Sequence, residues 1–104
     1  MPAYVYILKC SDGSYYVGST RHVEWRVNQH NAGNGAAYTR RRLPVTLMWC
    51  AEFEHIGEAF AMEKRIQGWS RAKREALIAG EFDKLPGLSK RGYRPSAHGE
   101  VGDE

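Results

Sequence analysis

AYVYILKC, residues Ala3–Cys10, is followed by SDG at Ser11–Gly13 and SYYVGS at Ser14–Ser19, and the fold is read outward from this stretch. Ala3–Cys10 alternates and is rich in tyrosine, valine and isoleucine, the composition of a half-buried strand. Ser11-Asp12-Gly13 is a turn signal, and Ser14–Ser19 reads as the returning strand, so the pair is a hairpin. A three-residue turn sets Leu8 opposite Tyr16 and Tyr6 opposite Gly18. Tyr6 and Tyr16 are then diagonal neighbours on one face, with room beside Tyr6 at Gly18.

Helical spacing follows over Arg21–Asn31, and Asn31-Ala32-Gly33-Asn34-Gly35 ends it in a loop. Tyr38-Thr39-Arg40-Arg41-Arg42 and Pro44 then lead to a third strand over Val45–Phe53. Gly57 precedes a helix running to about Gln67, Gly68 interrupts it, and Ser70 caps a further helix ending near Gly80. Glu81–Leu85 is read as one more turn. The expected fold is α+β, a small three-stranded antiparallel sheet flanked by helices in the order β-β-α-β-α-α. Residues 1–85 form the domain, and Gly, Ser, Pro and charge mark 86–104 as a mobile polar tail.

With 104 residues the chain is one small domain. No apolar run approaches the roughly 18 residues of a membrane span, and the start lacks a basic region before its apolar stretch. A cytoplasmic protein without a membrane partner is expected. Cys10 and Cys50 match no zinc spacing and read as small buried thiols. All 15 Lys and Arg and nine of the 12 acidic residues lie in 1–95, a net charge of +6 there, against −3 over the last nine residues. A basic domain of this kind attracts polyanions.

The informative residues are polar groups on inward-facing stripes. In the first helix Arg26 and His30 fall within about 60° of Val23 on the apolar side, one turn apart. Trp25 points the other way. In the second long helix Ala59, Met62, Ile66 and Trp69 form the apolar stripe, and Glu63 sits among them. A carboxylate there calls for a partner or a cation. The plain structural alternative is an internal Arg26–Glu63 ion pair with His30 hydrogen-bonded nearby.

The ordered set resembles the GIY-YIG nuclease domain, in particular its small stand-alone bacterial branch. The two signatures appear as Val5-Tyr6-Ile7 and Tyr16-Val17-Gly18. Arg26 and His30 match the family's helix residues. Glu63, in Ala61-Met62-Glu63-Lys64-Arg65-Ile66, matches its metal-binding glutamate. The stretch from His30 to Arg41 is similar to that branch as well. Val5 replaces the glycine of the first signature. The late asparagine that larger members place on the phosphate has no counterpart, because no Asn follows Asn34.

The resemblance implies a metal-dependent endonuclease that hydrolyses phosphodiester bonds, with catalytic residues Tyr6, Tyr16, Arg26, His30 and Glu63. Glu63 would ligate one Mg²⁺ or Mn²⁺ ion, and Arg26 would fork onto phosphate oxygens. Tyr16 is favoured as the base and Tyr6 as the residue that orients water or phosphate. Gly18, Tyr38, Thr39, Arg40, Arg41 and Arg42 are the expected nucleic-acid contacts, Tyr38 and the arginines suiting base stacking and phosphates. Arg71, Lys73 and Arg74 extend the basic face. DNA is favoured over RNA as partner, and selection by structure rather than by sequence is expected of so small a domain. The alternatives are an accessory protein that binds nucleic acid and cuts little or not at all, and an interaction module in which Arg26 and Glu63 merely hold the fold.

Overall fold

The structure is a computed structural model that describes residues 1–81. The expected extra turn beyond Glu81 and the tail from 86 lie outside the described residues. Seven elements run in order: β1 (Ala3–Lys9), β2 (Tyr15–Thr20), α1 (Val23–Asn31), α2 (Ala37–Arg40), β3 (Thr46–Phe53), α3 (Ile56–Gln67) and α4 (Arg71–Ala79). The sheet is antiparallel in the order β2-β1-β3, so β1 is the central strand.

The hairpin has the register read from its turn, with Leu8 opposite Tyr16 and Tyr6 opposite Gly18. Its turn closes because Gly13 takes φ +86°, while the Asp12 carboxylate accepts from Ser14 N at 3.0 Å and Ser14 Oγ at 2.6 Å. β3 joins the other edge of β1 with one irregularity. Ile7 faces Trp49 but Leu8 faces Leu47, so Met48 is the extra residue of a bulge. The bulge breaks the two-residue alternation and lets Leu47 and Cys50 share a face.

Alternation along β1 builds two cores. Ala3, Val5 and Ile7 pack with Val17, Trp49, Ala59, Met62, Ile66 and Leu77 on the α3–α4 face. Tyr6 and Leu8 pack with Cys10, Val23, Val45, Leu47 and Cys50 on the α1 face. Both cysteines are buried and neither forms a disulfide. Among the described residues, no helix is long and apolar enough to cross a membrane.

The helices end where the chain chemistry ends them. Ser70 Oγ accepts from Lys73 N at 3.2 Å, and Gly80 closes α4 at φ +81°. α1 begins at Val23 instead of Arg21, because Thr20 Oγ1 accepts from His22 N at 3.1 Å and holds the chain in a turn. The segment around Tyr38, read as open loop, contains the four-residue helix α2.

Arg71 and Arg74 do not form a free basic surface. Arg71 Nη1 donates to Gly13 O at 2.8 Å, and its guanidinium lies over the Tyr15 ring and pairs with Glu75 at 3.0 Å. Arg74 donates to the carbonyls of Ile66 and Gln67 at the end of α3. These two arginines clamp α4 to the hairpin turn and to α3, whereas the Lys73 side chain is exposed and pairs with no acidic group among the described residues.

Candidate functional site

Tyr6 stands at the centre of the site because β1 is central and its even-numbered residues face α1. Its ring lies over Gly18: a Cβ on Gly18 would stand 2.5 Å from Tyr6 Oη and 2.7 Å from Cζ. The room expected beside Tyr6 is therefore filled by Tyr6 itself. Gly18 is buried and brings backbone, not a side chain, to this point. Tyr6 Oη lies 3.1 Å from His30 Nε2, and His30 Nδ1 lies 2.8 Å from Thr39 Oγ1. His30 is 1% exposed and Thr39 0%. Thr39 thus stands behind His30 in the interior, unlike its exposed neighbours Arg40 and Arg41.

Tyr16 is half-buried beside this chain. Its ring meets His30 edge-on at 5.3 Å and Tyr6 at 6.4 Å between centroids, which is the diagonal neighbourhood expected from the register. Its other neighbour is Tyr38, stacked at 6.1 Å and 23°. The Arg42 guanidinium sits 3.9 Å from the Tyr38 ring centre and donates to Tyr38 O at 2.7 Å and Asp12 Oδ2 at 3.1 Å. Tyr38 Oη donates to Ser14 Oγ at 2.8 Å. Tyr38 and Arg42 are thus held against Tyr16 and the hairpin turn. Arg40 and Arg41 are the exposed cations of the loop, and an open hollow of about 740 Å³ is lined by Ala37, Tyr38 and Arg40 to Arg42.

Arg26 and Glu63 approach the tyrosines from α1 and α3. They form no ion pair with each other or with any other described residue. Glu63 is half-buried; its Oε1 accepts from Ser19 Oγ at 2.6 Å and its Oε2 from Gln67 Nε2 at 2.9 Å. These neutral donors aim the carboxylate without neutralising it. Arg26 Nε is buried with no hydrogen-bond partner among the described residues, and its guanidinium lies 5.9 Å from the exposed Trp25 ring. A buried donor left open at a charged group is costly, so this arrangement suits a site that receives an anion better than one built for stability alone.

The electrostatics tie the groups together. Burial pushes the Tyr6 phenol far above its ordinary value, Tyr16 and Glu63 push it further, and Arg26 opposes them. The Tyr16 phenol is raised by burial and by Glu63, again against Arg26. His30 is held below its ordinary value, first by burial and then by Arg26. In the free protein His30 is thus biased to its neutral form and both phenols to theirs. The positive charge that opposes the rise at both phenols comes from Arg26.

A family model, the GIY-YIG catalytic domain, matches residues 2–76. The chain belongs to the GIY-YIG family. A UPF0213 protein of Halobacterium salinarum is 53% identical over 75 residues, covering 72% of this chain and 97% of the relative. A UPF0213 protein of Streptococcus pneumoniae is 40% identical over 82 residues, covering 79% and 83%. The solution NMR structure of a UPF0213 protein from Bacillus halodurans is 40% identical, with a TM-score of 0.51 over 86% of this chain and 99% of that one. That of an E. faecalis protein is 37% identical, with a TM-score of 0.54 over 77% and 85%.

In this GIY-YIG chain the two signatures are the facing strands of one hairpin, and α1 and α3 bring the charged pair. Sequence reasoning named Tyr6, Tyr16, Arg26, His30 and Glu63, and the structure gathers all five. It missed Ser19, Gln67 and Gly35. Gln67 was within reach, since it lies four residues beyond Glu63 on the same helix. Gly35 gave no signal: a Cβ there would stand 2.3 Å from His30 Nδ1, a contact that exists only in the folded chain.

Proposed function

We propose that this GIY-YIG domain is a divalent-metal-dependent endonuclease that hydrolyses phosphodiester bonds, with DNA selected by its structure as the first substrate class. The observation that carries the reading is the unpaired state of Arg26 and Glu63 beside Tyr6, Tyr16 and His30. Two opposite charges close to the same tyrosines that do not neutralise each other are available for a ligand that bears both signs, such as a phosphate with its cation.

The residues fit one hard cation. Glu63 offers a half-exposed, oriented carboxylate, and no group of three or more His, Cys, Asp or Glu that could cage a metal occurs among the described residues. One carboxylate completed by phosphate oxygens and water is an ordinary Mg²⁺ or Mn²⁺ shell. Bound at Glu63, such an ion would polarise the scissile phosphate. Arg26 forks onto non-bridging oxygens and stabilises the charge that grows on them.

The proton route favours Tyr6 over Tyr16 as the residue that takes a proton from the attacking water. Tyr6 already touches His30 Nε2, whereas the Tyr16 hydroxyl makes no hydrogen bond among the described residues. As Tyr6 receives the water proton it passes its own to His30. It never has to exist as the free tyrosinate that burial disfavours. Tyr16, half-exposed, orients the water or the phosphate. Arg40 and Arg41 hold the flanking backbone.

The test is cleavage of end-labelled single-stranded, duplex and branched DNA, and of structured RNA, with Mg²⁺ or Mn²⁺ and with chelator. Glu63→Ala and Arg26→Ala are each expected to lose at least ~100-fold in rate, about 2.7 kcal/mol of transition-state stabilisation, while folding normally. Equal cleavage by all three proteins would mean a contaminant and would sink the reading. Salt-sensitive binding without cleavage would replace it with the accessory binder, the reading favoured by the missing late asparagine.

A further inference from the structure

We infer that Thr39 is a positioning residue that locks His30 in the tautomer protonated at Nδ1, so that Nε2 stands ready as the acceptor for the Tyr6 hydroxyl proton. The argument follows the protons from the outside in. Thr39 Oγ1 donates to Ala36 O at 3.0 Å, and a carbonyl oxygen can only accept. The hydroxyl has one proton, and with that proton on Ala36 O its oxygen accepts from His30 Nδ1, 2.8 Å away. Nδ1 therefore carries the N–H. A neutral imidazole has one N–H, so Nε2 is bare, and the 3.1 Å contact is Tyr6 O–H donating to it.

Three independent features support the assignment. His30 is buried and pushed towards its neutral form, which disfavours the state with two N–H groups. Gly35 leaves no side chain at the one place where a Cβ would meet Nδ1, so the ring can reach Thr39. The four-residue α2 turns at Ala36, whose carbonyl also receives Thr39 N at 3.1 Å, and this turn sets the hydroxyl behind the ring. A buried threonine with no substrate access thereby fixes the direction of a proton several atoms away. With its only proton engaged by His30, the Tyr6 oxygen faces the site with lone pairs alone, so it accepts from water and cannot donate to a phosphate.

The catalytic consequence rests on the nuclease reading, but the tautomer does not, so it is read without nucleic acid. Two-bond ¹H–¹⁵N correlation spectra of the labelled full chain near neutral pH report which His30 nitrogen is protonated. The wild type and Thr39→Ser are expected to show Nδ1–H and a bare Nε2. Thr39→Val, of similar size without the hydroxyl, is expected to move His30 towards Nε2–H. A wild type protonated at Nε2, or a folded Thr39→Val with an unchanged tautomer, would overturn the inference.

In cleavage assays Thr39→Val is expected to lose about 10- to 100-fold in kcat at unchanged KM, with Thr39→Ser recovering the rate. A shifted tautomer with unchanged kcat would overturn the catalytic part. If the wild type itself does not cut, the nuclease reading fails, and the spectra still decide the role of Thr39.

Discussion

The two faces of one three-stranded sheet follow opposite rules. On the α3–α4 face, Val5, Ile7, Val17, Trp49, Ile66 and Leu77 interlock as an ordinary apolar core. On the α1 face the same strand, β1, presents Tyr6 to a buried histidine, a buried threonine and a half-buried arginine with an open donor. A shift of one residue along β1 separates stability from chemistry. The difference teaches that so small a domain does not spread its polar site over the whole molecule. It gathers the tyrosines, His30 and Arg26 beside the smaller apolar core of the α1 face, and Glu63, held by Ser19 and Gln67, reaches them from α3.

Substitutions that strike the two faces separately should behave differently. The largest stability effect belongs to the apolar face. Ile66→Ala, at a fully buried position, is expected to cost about 2–5 kcal/mol, read as a lower midpoint in thermal or urea unfolding. If it cost no more than a surface change, the division of labour proposed for the faces would be wrong. Tyr6→Phe should cost far less stability, about 0.5–1.5 kcal/mol for one buried hydrogen bond, yet abolish most cleavage. A variant equally impaired in both would blur the comparison.

The smallest effect is expected on acidification. His30 binds its proton less readily in the folded chain than in the unfolded one, where the value is about 6.5. Stability is then full above that value and declines as pH falls through it towards the lower folded-state value. Unfolding midpoints measured between pH 7 and pH 5 should fall in the wild type, and this slope should flatten in His30→Gln.

Most of the scaffold was legible because it is written locally. The hairpin register and with it the Tyr6–Tyr16 pair follow from a three-residue turn, α4 from Ser70 and Gly80, and Arg26, His30 and Glu63 from polar groups on apolar stripes, their roles being implied by the family resemblance. What stayed hidden depends on contacts distant in sequence. Four residues are too few for helical periodicity, so α2 had no pattern to show. The Met48 bulge is visible only once β3 lies beside β1. Arg26 and Glu63 looked like natural partners, yet Ser19 and Gln67 hold the carboxylate instead. Arg71 and Arg74 looked like free charge until their carbonyl acceptors came into view.

The strand order β2-β1-β3 also sets a sequence in time. β1 and β2 are joined by a tight turn and can zip within microseconds, whereas β3 must return across the whole segment that holds α1 and α2. Tyr6 and Tyr16 therefore meet while much of the chain is still searching. His30, Thr39 and Glu63 arrive around a pair of rings that has already found its register. The slow event in folding is expected to be the docking of β3 and α3, and the two tyrosines of the site meet before it.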